Sequence, residues 1–165
     1  LQIGNGGTTG SIAAPALTNN AQLVFNRSDN VGTSLQISGT GVLVKNGAGA
    51  LRLDSAQTYT GETQVNAGTL DLRRDVATSR IVVASGATLD LNGRELPLGV
   101  SLTMNGALVN APSVQRIRGG AVFRGTSYTG NLSNTGGVLS PGNSPGTMTI
   151  TGNYAQSGTG VLALE

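Results

Sequence analysis

Two aspartates, Asp71 and Asp90, occupy the same place in two near-identical segments, residues 68–72 (GTLDL) and 86–91 (GATLDL). If these segments are stacked strands, the two carboxyl groups lie about 5 Å apart. That separation is typical of the carboxylate pair of a retaining glycoside hydrolase. Alternatively, both are solvated strand residues, and Arg52, at the equivalent position one unit earlier, can pair with Asp71. We favour this interpretation, because no further acid or base accompanies the pair.

The residues that other kinds of catalysis require are not found in suitable patterns in this sequence. The chain has no His and no Cys, and Lys45 is the only lysine that could serve as a base for a serine nucleophile. The segment GNSPG at 142–146 superficially resembles a nucleophile elbow, but its Pro-Gly steps are more typical of turns. The Gly-rich segment 4–10 lacks the lysine of a P-loop. The eight acids are dispersed. We therefore predict no catalytic, cofactor-binding or metal-binding residue.

The composition favours strands and tight turns. Charged residues make up 11% of the chain, against about 25% in ordinary soluble domains. The polar positions are instead filled by Thr, Ser, Asn and Gln, and there are 26 glycines. The net charge of +2 comes from scattered basic residues, and aromatic residues make up only 3%. This pattern argues against a nucleic-acid partner.

An internal repeat predicts the architecture. Four leucines are spaced 19 residues apart: Leu51, Leu70, Leu89 and Leu108. Upstream of three of them lie Val65, Val83 and Leu102, spaced 18 and 19. Around the leucines apolar and polar residues alternate, which indicates strands with one buried face. Short strands repeating at this period predict an all-β, right-handed parallel β-helix of roughly seven or eight coils, with the four leucines in one inward column.

One segment carries a recognisable pattern. Residues 39–72, GTGVLVKNGAGALRLDSAQTYTGETQVNAGTLDL, closely resemble the passenger-associated transport repeat of autotransporters. The matching positions are Gly39, Gly41, Leu43, Lys45, Gly47, Gly49, Leu51, Leu53, Thr58, Tyr59, Thr60, Gly61, Thr63, Val65, Gly68, Thr69, Leu70 and Leu72. Gln57 stands where the family usually has Asn.

The resemblance implies a single β-helical passenger fragment over residues 1–165, with a transport-repeat module at 39–72. Residues 137–165 resemble the barrel-proximal coils that can act as a folding template. The implied protein is exported to the surface of a Gram-negative bacterium or secreted, and its partner is an outer-membrane β-barrel of the same polypeptide. Because the sequence starts at Leu1 without an initiator Met, we expect a fragment of a longer chain.

Three functions remain open at this stage. The first is a non-enzymatic stalk that assists export across the outer membrane and folding of the passenger. The second is an adhesin whose outer face binds a host ligand. The third is the non-catalytic part of a secreted protease or esterase whose active site lies upstream. Tyr59, Tyr128 and Tyr154 are expected to be structural corner residues rather than ligand-stacking ones.

Overall fold

The computed structural model describes residues 1–142 and 146–164. This part of the chain is built from short β-strands, and it holds no helix long and apolar enough to cross a membrane. The strands are β1 (Gln2–Ile3), β2 (Ala16–Thr18), β3 (Gln22–Phe25), β4 (Val31–Thr33), β5 (Gln36–Ser38), β6 (Val42–Lys45), β7 (Ala50–Leu53), β8 (Thr63–Val65), β9 (Thr69–Leu72), β10 (Arg80–Val83), β11 (Thr88–Asp90), β12 (Ser101–Met104), β13 (Ala107–Val109), β14 (Val114–Ile117), β15 (Val122–Gly125), β16 (Ser127–Thr129), β17 (Asn131–Asn134), β18 (Val138–Pro141), β19 (Thr149–Thr151), β20 (Tyr154–Gln156) and β21 (Val161–Leu162).

One sheet runs the whole length of the molecule, and we call it the spine. It contains nine strands in the order β1-β3-β6-β8-β10-β12-β15-β18-β21, and all of its pairings are parallel. Parallel neighbours need a connection that leaves the sheet and returns, so each step along the spine is one coil. Nine strands give eight such steps. The predicted all-β, parallel β-solenoid is therefore confirmed.

The connections between spine strands form two further faces. The second face is the parallel sheet β4-β7-β9-β11-β13, followed after a gap by the pair β16-β19. The third face starts with the pair β2-β5, continues through an isolated bridge between Gln57 and Val76, and ends in the sheet β14-β17-β20.

These two faces are interrupted, whereas the spine is continuous over the described residues. On the third face no ladder joins Val76 to β14, and on the second face none joins β13 to β16. The first gap coincides with the loop at residues 92–99, where Asn92 adopts a left-handed backbone with a φ of 49°. Such a backbone turns the chain out of a strand. The spine thus holds consecutive coils together where the other ladders are missing.

The predicted leucine column exists on the second face. Leu51, Leu70, Leu89 and Leu108 are consecutive ladder partners in β7, β9, β11 and β13. The first three are almost completely buried, while Leu108 is only partly covered. The difference arises because β13 is the last strand of its sheet, so no strand pairs with its far side.

The spine does not keep the 19-residue period. Its ladder partners are 18 residues apart at Thr63 and Ile81 but 21 apart at Ile81 and Leu102. Val83 consequently stacks on Met104, although its 19-residue spacing suggests Leu102 as the partner. The loop at 92–99 takes up the additional residues outside the sheet. Coil length is therefore set at the corners and varies without breaking the spine.

Because burial along the leucine column is uneven, we expect its members to contribute unequally to stability. Leu70→Ala should lower the free energy of unfolding by about 2–5 kcal/mol, because it removes a fully buried side chain between two neighbours. Leu108→Ala, the same change at the partly covered end of the column, should cost clearly less. Urea unfolding followed by circular dichroism measures both. Equal losses would contradict the stacking of the column.

Candidate functional site

The two aspartates of the repeated segments lie where the sequence places them. Asp71 and Asp90 are ladder partners in β9 and β11. Asp71 accepts a hydrogen bond from Arg73 Nε at 3.1 Å and another from the side-chain amide of Asn92. Asp90 accepts one from the backbone N–H of Asn92 and one from Asn110 Nδ2, both at 2.9 Å. Both carboxylates are thus engaged by N–H donors, and Asn92 contacts both of them.

The predicted ion pair between Arg52 and Asp71 is wrong. The two residues are ladder partners, but Arg52 Nε donates to Asp54 Oδ1 at 2.8 Å, and Asp71 pairs with Arg73 at 3.0 Å. Residues two apart in an extended chain point to the same side, so a carboxylate on the same chain segment competes with one on the next coil. Arg27 and Asp29 pair in the same way at 2.7 Å.

The remaining candidate segments offer no catalytic arrangement among the described residues. In the Gly-rich segment 4–10 the carbonyl oxygens of Thr8 and Gly10 accept hydrogen bonds from Arg27. A phosphate cradle needs N–H groups in that place. No group of three or more potential metal-ligating side chains occurs in residues 1–142 and 146–164. In the segment GNSPG, residues 143–145 lie outside the described residues.

The inner side of the spine carries a different set of polar residues. Two columns of side chains point inward from it. One contains Leu23, Leu43, Thr63, Ile81, Leu102, Phe123 and Leu139, and the other contains Ile3, Phe25, Lys45, Val65, Val83, Met104 and Gly125. Each column has one polar member with a hydrogen-bonding side chain. In the first column this is Thr63, and in the second it is Lys45. Both lie in the module at 39–72.

Lys45 is a buried cation on the inner side of β6. Its side chain is 2% exposed, and its ammonium group donates to the carbonyl oxygens of Gly47 and Ala67, the latter at 3.1 Å. Within the described residues it forms no ion pair with a carboxylate. Burial disfavours the charged form and lowers the pKa of Lys45 from 10.5 to about 8. Because Ala67 belongs to the following coil, the ammonium group links two consecutive coils.

Thr63, the polar member of the other column, belongs to a chain of buried hydroxyl groups. The Tyr59 hydroxyl lies 2.5 Å from Thr63 Oγ1, which in turn donates to Thr78 Oγ1 at 3.1 Å. Thr78 donates to the carbonyl oxygen of Gly61 at 2.6 Å. Tyr59 is completely buried, and this raises its pKa because the phenolate loses its hydration. The hydroxyl chain also crosses from one coil to the next, since Thr78 precedes β10.

Gln57 makes a third link, in the direction of the preceding coil. It is 2% exposed, and its Oε1 accepts a hydrogen bond from the backbone N–H of Ile37 at 2.8 Å. Its Nε2 donates to the carbonyl oxygens of Leu35 at 3.1 Å and Ser55 at 2.7 Å. The backbone of Gln57 meanwhile forms the bridge to Val76. No strand ladder joins β5 to Gln57, and the side-chain amide therefore adds to the individual backbone hydrogen bonds that Thr58 and Tyr59 donate to the carbonyl oxygen of Ile37.

The glycines of the module let the coils approach at a corner. A Cβ atom on Gly47 would stand 1.9 Å from the carbonyl oxygen of Arg27, and one on Gly49 would stand 1.9 Å from that of Asp29. Both distances are far below van der Waals contact with backbone atoms of the preceding coil. The Gly-Ala-Gly corner at 47–49 is thus required by close stacking.

The buried polar links between coils described above lie in and next to the module. Outside it, buried Asn134 makes one such link, because its Nδ2 donates to the carbonyl oxygen of Val161 in the following coil at 2.8 Å. Sequence reasoning placed Lys45, Tyr59 and Thr63 in a family pattern and Gln57 at a position where the family usually has Asn. It did not predict that these side chains bond to neighbouring coils. A signal was present in the sequence: Lys45 and Thr63 occupy positions that apolar residues hold in the neighbouring coils.

Comparisons with known proteins agree with this picture. The family model described as passenger-associated-transport-repeat matches residues 43–72. The chain is 37% identical over 128 residues to a protein named adhesin BmaC autotransporter, from Brucella suis biovar 1 (strain 1330). That alignment covers 71% of this chain but 4% of the Brucella protein, so the chain spans a small part of that relative's length. No solved structure matches the chain significantly.

The hydroxyl chain predicts different outcomes for two buried tyrosines. Tyr59→Phe should lower the free energy of unfolding by about 1–2 kcal/mol, because it breaks a buried hydrogen bond to Thr63. Tyr128 is the matched control: it is also buried, and its ring packs edge-on against that of Phe123 with 5.6 Å between ring centres, but its hydroxyl has no partner among the described residues. Tyr128→Phe should leave stability unchanged or raise it. The urea midpoints of the two variants and the parent measure both effects. A larger loss of stability for Tyr128→Phe than for Tyr59→Phe would refute the hydroxyl network.

Burial of Lys45 predicts a rise in stability with pH. Between about 8 and 10.5, the folded-state and ordinary pKa values of Lys45, the unfolded chain binds more protons than the folded chain. The free energy of unfolding should therefore increase from pH 8 towards pH 10. Above about pH 10 the raised pKa values of Tyr59 and Tyr128 act in the opposite direction, because tyrosines ionise first in the unfolded chain. Lys45→Met should abolish this rise, which is measured by urea titrations at a series of pH values. The same dependence of the free energy of unfolding on pH in the variant and the parent would contradict the prediction.

Proposed function

With this chain identified as a segment of an autotransporter passenger that carries a passenger-associated transport repeat, we propose that it is a structural stalk that assists export and folding of the passenger. In this role the module at 39–72 fixes how each coil is placed on its neighbour. The stalk itself is non-enzymatic, and any catalytic activity of the complete protein belongs to another region. The single observation that carries the proposal is that Lys45, Gln57 and the Tyr59–Thr63–Thr78 hydroxyl chain tie the module to both neighbouring coils, whereas a buried link of this kind recurs singly at Asn134.

The physical argument concerns register. The inward columns of the solenoid are filled mostly by Leu, Val, Ile and Phe, which differ little in how they pack. A strand that slips by two residues keeps its apolar side chains inside, so burial alone penalises the slip weakly. Lys45, Thr63 and Gln57 change this, because a slip leaves their buried polar groups without partners. Each such loss costs about 1–3 kcal/mol.

Export places the chain in a situation where register matters. In the proposed mechanism the chain crosses the outer membrane in extended form, through a barrel that is part of the same polypeptide. The coils near residues 137–165 emerge first, and each later coil pairs with the open edge of the one before. Folding outside the cell then biases movement through the pore outwards. A coil that settles in only one register prevents stalled, misaligned intermediates.

A second candidate is adhesion. The observation that favours it is the relative's printed name, which describes an adhesin. In this case the protein stays at the cell surface of a Gram-negative bacterium, and the outer faces of the solenoid bind a host ligand. The stalk and the adhesin are compatible in one molecule, since the links described above lie inside the solenoid and leave its outer faces free.

The export role predicts that removing the module reduces surface display of the passenger more than removing other coils does. In the full-length parent, deletion of residues 39–77 removes two coils that include the module and joins Ser38 to Thr78 in register. We expect it to reduce surface display several-fold, because the remaining chain lacks the links that select the register. Display is measured by protease accessibility of the passenger on intact cells, normalised to the amount of barrel in the outer membrane.

The matched control is deletion of residues 82–123, which also removes two coils and joins Ile81 to Arg124 in register. This variant keeps the module, and its display should stay close to that of the parent. Equal display of the two deletions would refute a special role of the module. Normal display of the module deletion combined with loss of binding to host cells would favour the adhesin.

A further inference from the structure

The outer side of the spine carries a shallow cavity that no internal link uses. Its volume is about 360 Å³, and it is lined by Arg80, Ser101, Thr103, Val122 and Arg124. These residues belong to β10, β12 and β15, three consecutive strands of the continuous sheet. The cavity therefore lies on the face that is the least interrupted of the three.

The ladder arranges two guanidinium groups around a floor of hydroxyl groups. Arg80 is the partner of Ser101 in the first ladder, and Thr103 is the partner of Arg124 in the second. The two arginines are two strands apart, which separates their backbones by about 10 Å along the solenoid axis. No acidic residue lines the cavity. Glu62, which lies 3.7 Å from Arg80 as a loose ion pair, is outside this lining.

The hydrogen-bonding state of these groups leaves donors available. Ser101 Oγ already accepts the backbone N–H of Val122 at 3.1 Å, and Thr103 Oγ1 accepts Arg80 Nη2 at 3.3 Å. Each hydroxyl can therefore still donate its proton outwards. Arg124 is exposed and forms no ion pair or side-chain hydrogen bond with the described residues. Unlike Arg80, it is thus free to bind a ligand with all of its guanidinium N–H groups.

We propose that this cavity is a binding site for an anionic polysaccharide, with Arg124 and Arg80 bonding its sulfate or carboxylate groups and the two hydroxyls bonding the sugar. Guanidinium groups suit such oxyanions because they donate two parallel hydrogen bonds. A single strand of nucleic acid is disfavoured as the occupant, because its bases need aromatic side chains to stack on and none lines the cavity. The site is separate from the export role, since its residues face away from the links inside the coils.

The test measures binding of the purified 165-residue chain to heparin, as a sulfated probe, and to polygalacturonate, as a carboxylate-only probe. Arg124→Gln should weaken binding about tenfold, since it removes charge-assisted hydrogen bonds. Arg74→Gln is the matched control: Arg74 is also exposed and without an ion pair among the described residues, but it lies outside the cavity. It removes the same charge and should weaken binding less than twofold. Which probe binds more tightly distinguishes sulfate from carboxylate recognition.

Three outcomes would overturn the proposal. The first is that neither polysaccharide binds at physiological salt. The second is that Arg124→Gln and Arg74→Gln weaken binding equally, which indicates attraction to overall charge. The third is that single-stranded DNA binds more tightly than both polysaccharides and depends on Arg124. Because both arginines are outward-facing, circular dichroism of each variant should match the parent, so a loss of binding reports on the site itself.

Discussion

The in-register parallel ladder of the spine is the interaction on which the rest of the structure depends. A coil of about 20 residues buries too few side chains to offset the entropy lost when its backbone is ordered, so it is stable only while it bonds to its neighbours. The second and third faces each lose their ladder somewhere along the described residues, but the spine does not. Every other feature, including the leucine column and the outward-facing arginines, inherits its position from the alignment of the spine strands.

Against this background, the buried polar groups of the module gain a physical purpose. An ammonium group, a hydroxyl chain and a side-chain amide are costly to bury, and replacing such a group together with its bonded side-chain partners by apolar residues of similar size would often give equal or greater stability. In the proposed export role their benefit is selectivity, since a slip of the coil would leave each of them without its partners. Lys45 and the Tyr59–Thr63–Thr78 chain bond towards the following coil, whereas Gln57 bonds towards the preceding one. The module is thereby tied on both sides.

The sequence was sufficient to predict the solenoid, the parallel strands, the approximate number of coils and the leucine column, because these follow from alternation and a constant period. It was insufficient where a choice between neighbours of similar energy decides the outcome. Arg52 had two carboxylates within reach, and Asp54, two residues further along its own chain segment, prevailed over Asp71. The stacking of Met104 on Val83 depended on how many residues the loop at 92–99 removes from the sheet. The role of Gln57 depended on the backbone N–H of Ile37, which its side chain, not a strand partner, accepts. The absence of catalytic, cofactor and metal residues remains a prediction.

The ladders of the second and third faces are interrupted at different heights along the solenoid axis, and this has a mechanical consequence. From Val76 to β14 the coils are joined by the spine and the second face, whereas between β13 and β16 they are joined by the spine and the third face. A sheet resists stretching along its hydrogen bonds, and an unpaired face resists only through side-chain packing. Under a sideways load the rod should yield first on its unpaired side. The easy direction of bending therefore rotates from one side of the spine to the other along the axis, which lets a thin filament deflect in more than one plane without parting its continuous sheet.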